Sequence, residues 1–240
     1  MFRQIEEKKK TLLEGKPFSD ELVRAFDALD LLDFAYTNLK LEGSSLTEQG
    51  VGHIIHGEIV HGVTIGDHNL LEYHRRVLKD FSHMKTMEID LDARELLHLY
   101  SVLTDKEKPA LRTRERVLYH LDYVAPMRMP VSGMLDELFR YLYRREDLYQ
   151  GDYIRRAVEL HDGIIGVYPF DEGSEMLARC AMQYELIRNG LPIVPLDMKE
   201  PEYNISVEVA LKKGDHRPLY NSVCRGALQK LDKMLALLNA

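Results

Sequence analysis

The stretch that decides the fold is YPFDEGSEMLAR, residues 168–179. It lies between two segments of helical pattern, and the second of these closes at Gly190 and Pro192, residues that end helices. The stretch is therefore predicted to be a loop between two helices. It presents carboxylates, a tyrosine and an arginine, which are side chains able to carry chemistry.

Helical periodicity extends over most of the chain. Apolar residues recur every three or four positions, which predicts helices with one buried face. The clearest run is Leu22, Val23, Phe26, Leu29 and Leu32, preceded by Ser19 and Asp20 as candidate N-caps, and the period returns within 96–103 and 134–142. We therefore expect a mainly α protein.

One segment departs from this period. Residues 117–124 are rich in β-branched and aromatic types, and Pro126 and Pro130 follow closely. This composition favours strands over helices, so a short β-hairpin is predicted here.

Composition restricts the class of protein. The 240 residues are 45% hydrophobic and 30% charged, without repeats or a Gly/Ser-rich linker, which predicts one unit over residues 1–240. The net charge is -7 with scattered basic residues, so nucleic acid is not an expected partner.

No stretch approaches the ~20 apolar residues of a membrane span, and no membrane association is expected. Cys180 and Cys224 lie in apolar helical patterns, which indicates buried free thiols and a reducing cytoplasm.

Residues 168–179 resemble the active-site loop of the Fic (filamentation induced by cAMP) family, HPFx(D/E)GNGRxxR. Three other segments also resemble parts of the family, and all four occur along the chain in the family's order. Residues 36–47 are similar to the inhibitory helix, with Glu42 and Gly43 on its signature. Residues 117–130 stand where the family has a target-binding flap, and 203–219 resemble its closing helix. The matching loop positions are Pro169, Phe170, Glu172, Gly173 and Arg179.

The resemblance implies a Fic-fold helical bundle with a short β-hairpin flap. It also divides the unit into N-terminal helices (1–60), a Fic core (90–222) and a C-terminal helix (223–240).

Four positions of the loop differ from the family's pattern. Tyr168 stands at the histidine that takes the proton from a target hydroxyl in Fic enzymes, before that hydroxyl attacks ATP. A phenol with a pKa of about 10 is ionised in roughly one molecule in a thousand at neutral pH, so it is a poor base. Ser174 and Glu175 replace the last two members of GNG, and Glu175 adds a negative charge where phosphate is cradled. Met176 replaces the first arginine.

Other positions keep their family roles by resemblance. Glu172 is the Mg²⁺-binding position, and Gly173, Ser174 and Arg179 occupy phosphate-binding positions. Glu42 is the inhibitory glutamate. We expect a Glu42–Arg179 salt bridge that fills the nucleotide site.

Several further residues have two interpretations. His161 lies two turns before Tyr168 and is either a substitute base or, as we favour, a packing and hydrogen-bonding residue. Tyr119 and Tyr123 on the flap either pack over the loop, which we favour, or form an exposed edge that binds peptide. Cys180 follows Arg179, but nothing in the sequence lowers its pKa. The histidines at 53, 56, 61 and 68 lack a complete ligand set and are interpreted as solvated or core residues.

The hypothesis from sequence is a degenerate Fic protein without protein AMPylation activity that acts in binding or scaffolding. The alternative is an active nucleotidyl- or phosphoryl-type transferase that uses ATP and Mg²⁺, with Tyr168 or His161 replacing the usual histidine. A third hypothesis is a regulatory subunit of an active partner. Expected partners are a protein target at the flap and, by resemblance, a second copy in a homodimer; without activity no cofactor is expected.

Overall fold

A computed structural model describes residues 1–58, 60–144 and 149–239, and these form ten α-helices and one two-stranded hairpin. The predicted segments 1–60, 90–222 and 223–240 include a few positions outside these ranges. The helices are α1 (Phe2–Glu14), α2 (Asp20–Leu41), α3 (Glu48–Ile55), α4 (Ile65–Thr86), α5 (Ala93–Thr104), α6 (Val131–Tyr143), α7 (Tyr153–Val167), α8 (Ser174–Arg188), α9 (Glu200–Lys213) and α10 (Arg217–Leu238). The strands are β1 (Arg116–Leu118) and β2 (Tyr123–Ala125). The predicted mainly α fold is confirmed.

The centre of the molecule is the pair α7 and α8, which pack against each other along their length. Residues of α8 from Met176 to Leu186 are buried on every side, because α4, α5 and α7 all contact this helix. A helix that is in contact with other helices on all sides has little amphipathic character. Such a helix also fixes the position of the loop that precedes it. The loop 168–173 therefore leads directly into a helix that is buried on every side.

Helix α2 is attached to the bundle by a buried charged group. Lys230 of α10 is fully buried, and its Nζ lies 2.7 Å from Asp30 Oδ1 and 2.8 Å from Asp33 Oδ2. A buried ammonium requires such partners because desolvation without them is costly. Ser19 caps the helix by accepting from the Leu22 N–H at 3.2 Å, as the sequence predicts.

The predicted hairpin is present over residues 116–125. β1 and β2 pair antiparallel with Val117 opposite Val124, and a single 3₁₀ turn, Tyr119–Leu121, connects them. The hairpin contacts α7 and α9, so it is fixed beside the loop that follows α7.

The end of α9 corrects one predicted boundary. Gly214, with φ of 64°, terminates α9 in the left-handed conformation that glycine adopts without strain. Leu219 lies in α10, which begins at Arg217. The closing helix therefore ends before residue 219, and the C-terminal helix begins ahead of the predicted residue 223. Within the described residues, no helix combines the length and apolar character that crossing a membrane requires.

Candidate functional site

The loop begins at Tyr168, which has a φ of 49°. This left-handed conformation is uncommon for a residue other than glycine, so neighbouring groups must hold it. Arg112 does so: its Nε donates to the Tyr168 carbonyl and its Nη2 to the Val167 carbonyl, each at 2.7 Å. The Arg112 main-chain N–H donates to the Pro169 carbonyl at 2.9 Å. Sequence analysis missed this residue because it lies far from the motif in the chain.

The middle of the loop is held by an aromatic stack. The Tyr100 and Phe170 rings lie 3.5 Å apart between centroids and 6° from parallel. The Tyr100 hydroxyl donates to the Glu172 carbonyl at 3.0 Å. Gly173 follows with φ of 72°, where a larger residue would be strained.

The Ser174 hydroxyl closes the loop on itself. Its Oγ accepts from the Phe170 N–H and donates to the Phe170 carbonyl, both at 2.9 Å, and the residue is fully buried. The hydroxyl is thus used within the protein. At the predicted phosphate-binding position Ser174, the side-chain hydroxyl is therefore not a free donor in this arrangement.

The phenolate form of Tyr168, the form that could accept a proton, is scarcer here than in water. Its side chain is 7% exposed. Burial raises the pKa of the phenol, and the charge of Glu175 together with a hydrogen bond to Glu175 raises it further, although Arg116 partly opposes this. The hydroxyl is therefore held protonated at neutral pH.

Glu175 links the loop to the flap. Its Oε1 lies 2.8 Å from His120 Nε2. The added carboxylate thus joins Tyr168 on the loop to His120 on the hairpin. His120 was not identified from sequence, because only the fold brings it over the loop.

The predicted ion pair between Glu42 and Arg179 is present. Arg179 Nη2 donates to Glu42 Oε1, while Nε donates to Asn38 Oδ1 at 2.7 Å and Nη1 to the Tyr203 hydroxyl at 3.4 Å. The guanidinium is 2% exposed. Burial opposes its charge, but Tyr203 and Glu42 raise its pKa above the ordinary value. Each of the three guanidinium nitrogens thus donates to an acceptor within the protein.

His161 belongs to a buried hydrogen-bond chain. Its Nε2 lies 2.8 Å from the Tyr203 hydroxyl and its Nδ1 2.8 Å from Asp162 Oδ1. Asp162 Oδ2 in turn lies 2.6 Å from His216 Nδ1, and this hydrogen bond raises the pKa of His216. His161 does not line the cavity at the loop. The geometry agrees with the packing and hydrogen-bonding interpretation of this residue.

A cavity of about 240 Å³ lies where the loop, α2 and the flap meet. Three carboxylate side chains face it: Glu42, Glu175 and Glu200. None of the described residues that line it is a lysine or arginine. The lining residues are Leu41, Glu42, Gly43, His120, Tyr168, Gly173, Glu175, Glu200 and Asn204. The electrostatic environment is therefore unfavourable for phosphate.

The other residues considered from sequence, Glu172, the histidines near residue 53 and Cys180, do not line the cavity at the loop. Glu172 is exposed on the loop. No group of three or more His, Cys, Asp or Glu side chains in the described part of the chain is arranged to hold a metal. In the histidine-rich segment, His53 Nδ1 lies 2.6 Å from Glu58 Oε2. Cys180 is buried, which raises the pKa of its thiol to about 12.

The two flap tyrosines have opposite environments. Tyr123 is partly buried, and its hydroxyl donates to the Gly166 carbonyl at 3.5 Å. Tyr119 is 88% exposed on the connecting turn. The favoured interpretation, packing over the loop, is therefore wrong for Tyr119, because the turn directs that side chain to solvent.

A helix pair joined by this loop, with a hairpin beside it and a helix that inserts a glutamate toward its arginine, is the arrangement of a Fic-type domain. Residues 90–186 match the family model described as the Fic/DOC family. The resemblance seen in the sequence is thereby confirmed for these residues.

Solved structures share the fold over nearly the whole chain. A fragment of Fic-1 from C. elegans matches with a TM-score of 0.78 and 20% identity, covering 99% of this chain and 72% of that one. A Fic domain containing signaling protein from Bacteroides thetaiotaomicron matches with 0.77 and 17%, covering 98% and 97%. A Fic family protein from Desulfovibrio desulfuricans matches with 0.70 and 14%, covering 98% and 74%. No curated protein matches.

Proposed function

We propose that this Fic-fold protein lacks protein AMPylation activity and acts in the cytoplasm as a binding or scaffolding protein. The observation that carries the proposal is the state of Arg179. Its three hydrogen-bonding nitrogens are engaged by Glu42, Asn38 and Tyr203 inside the core. An arginine committed in this way is not free to hold a phosphate.

The second observation that supports the proposal is that Tyr168 is not a suitable general base. Tyr168 has its pKa raised by burial and by Glu175, so the fraction ionised at neutral pH falls below that of a free phenol. General-base catalysis requires a group whose pKa lies near the working pH. Tyr168 does not meet this requirement.

The third support is the poor fit of a nucleotide. The cavity of about 240 Å³ is smaller than the ~300–1,000 Å³ of ordinary ligand pockets. Glu42, Glu175 and Glu200 face it, and Ser174 is used inside the loop. The residues as arranged do not fit ATP with Mg²⁺.

The binding role is assigned to the flap. Val117, Tyr119 and Val124 are exposed on the hairpin, although apolar side chains of this size favour burial. A two-stranded hairpin also has outer edges that accept an extended peptide as an added strand. A protein target at the flap is therefore the proposed partner.

The alternative is an active nucleotidyl- or phosphoryl-type transferase. It is favoured by one observation: Glu172, the retained metal-binding position, is exposed on the loop. In this alternative, Tyr168 or His161 replaces the missing histidine.

Incubation with ATP and Mg²⁺ or Mn²⁺ in a cell lysate, followed by intact mass measurement, tests the proposal. The Glu42→Gly variant is measured in parallel, because it removes the carboxylate that engages Arg179 and separates inhibition from degeneration. We expect no mass increase in either protein. An AMP adduct that disappears on Tyr168→Phe would establish the alternative.

The flap assignment has its own test. A partner retained by the wild-type protein should be lost from the Tyr119→Ser variant and retained by Ile65→Ser, which removes an equally exposed apolar side chain elsewhere. Equal retention by both variants would contradict binding at the flap. The predicted homodimer is checked by sedimentation of the same samples, and a complex with an active Fic enzyme would favour the regulatory-subunit hypothesis.

A further inference from the structure

A second and larger cavity, of about 700 Å³, lies between α2, α4 and the segment that follows α8. It shares no lining residue with the cavity at the loop. Its volume falls within the ~300–1,000 Å³ range of small-molecule sites. Neither the Fic loop nor the flap contributes to it.

The floor of this cavity is aliphatic. Leu31, Leu191 and Ile193 are buried there, and Leu78 and Ile187 are partly buried. Such a surface gains free energy when an apolar group replaces water on it. The floor therefore favours a hydrocarbon ligand.

The rim carries positive charge. Arg75, Lys79 and Lys85 line the cavity from α4. The Arg75 Nε is buried without a hydrogen-bond partner, and the 3.6 Å that separates it from Glu72 Oε2 is too long for one. Burial lowers the pKa of Lys85, and the nearby charge of Lys16 lowers it further. A bound anion would offset the repulsion between the charges of Lys85 and Lys16.

The acidic residues of the lining offset only part of this positive charge. Asp30 is ion-paired with the buried Lys230, with 2.7 Å between Oδ1 and Nζ. Asp27 is exposed and is the other carboxylate among the described lining residues. The lining thus carries three cationic side chains and two carboxylates; Asp30 is shared with Lys230, and Arg75 is ion-paired with Glu72 outside the lining.

We propose that this cavity binds an aliphatic carboxylate, with its chain on the floor and its head group against Arg75, Lys79 and Lys85. The apolar floor accounts for the chain. The charge of the rim and the unpaired Arg75 nitrogen account for the head group.

The test is calorimetric titration of the full chain with decanoate, below its micelle concentration, and with 1-decanol as the uncharged match. We expect one decanoate per chain and weaker binding of decanol. The double variant Lys79→Gln/Lys85→Gln should weaken decanoate binding by about tenfold for each charged hydrogen bond lost, and so by about a hundredfold in all. The control Lys108→Gln removes an exposed lysine elsewhere and should change nothing.

A second variant, Ser82→Trp, places a large ring at the mouth of the cavity and should abolish binding. Ser82 is exposed, and thermal unfolding will show that the variant is folded. Absence of decanoate binding at millimolar concentration would overturn the proposal. Binding that is unchanged in both variants, or that has no defined stoichiometry, would overturn it equally.

Discussion

The guanidinium of Arg112 holds the carbonyl oxygen of Tyr168 at 2.7 Å, and through the same group it reaches the Pro126 carbonyl beyond the flap, also at 2.7 Å. One side chain therefore fixes both the left-handed start of the loop and the end of the hairpin. Arg112 contacts residue 168 at its main-chain carbonyl, so this hydrogen bond does not require a particular side chain there.

Replacement of Arg112 by alanine should lower the free energy of unfolding by about 3 kcal/mol, because several buried carbonyls lose their donor at once. Arg112→Lys should recover only part of this loss, since an ammonium lacks the planar fork of donors. Urea denaturation measures both. Arg94→Ala, at an exposed arginine, is the control and should stay within about 0.5 kcal/mol of wild type. A loss at Arg112 no larger than that of the control would contradict this role.

His74 should make the protein sensitive to acid. It is fully buried on α4, and burial, with the charge of Arg179, lowers its pKa from 6.5 to about 4. Between these values the unfolded chain binds a proton that the folded chain does not, so the free energy of unfolding decreases as pH falls from about 6.5 to about 4. The contribution is fully present above pH ~6.5, and the loss reaches about 3 kcal/mol.

Urea denaturation of wild type, His74→Gln and the control His68→Gln across this pH range tests the assignment. The His74→Gln variant should lose most of the slope, and His68→Gln, at an exposed position, should keep it. Equal slopes in all three proteins would assign the acid sensitivity to other groups.

Restoration of the loop should restore nucleotide binding. We expect the combined variant Tyr168→His, Ser174→Asn, Glu175→Gly, Met176→Arg with Glu42→Gly to be stabilised by ATP and Mg²⁺. At a ligand concentration ten times the dissociation constant, the melting temperature should rise by roughly 4 °C. The same variant with Glu175 retained is the control and should show a smaller rise, because its carboxylate remains in the cavity. No rise in either protein would mean that features outside the loop prevent binding.

Both thiols should be unreactive in the folded protein. Burial raises the pKa of Cys180 to about 12 and that of Cys224 to about 11, so little thiolate exists at neutral pH. Iodoacetamide should therefore label neither cysteine natively and both in denaturant, as intact mass will show. Rapid native labelling of Cys180 would contradict its burial.

Much of the fold could be predicted from sequence, because its signals are local. The period of apolar residues identified the helices, and the Ser19 cap and the hairpin at 117–124 were identified from residue type and turn residues. The Glu42–Arg179 pair was predicted from two motifs that the family places together. Each of these rests on a pattern within a few residues or on a known pairing of segments.

The parts of the site that could not be predicted from sequence depend on contacts between distant segments of the chain. Arg112 and His120 carry no local signal, and they matter only because folding brings them to residues 168–179. The orientation of Tyr119 was predicted wrongly for a related reason. Strand alternation does not apply on a 3₁₀ turn, where the side chain points away from the core.

The buried chain that runs from Glu42 through Arg179, Tyr203, His161 and Asp162 to His216 joins the end of α2 to the start of α10. Separation of either helix would leave charged and polar groups unpaired in a low-dielectric interior. These two segments, distant in sequence, should therefore open together as one cooperative unit. This chain of hydrogen bonds then determines how much of the molecule unfolds at a time.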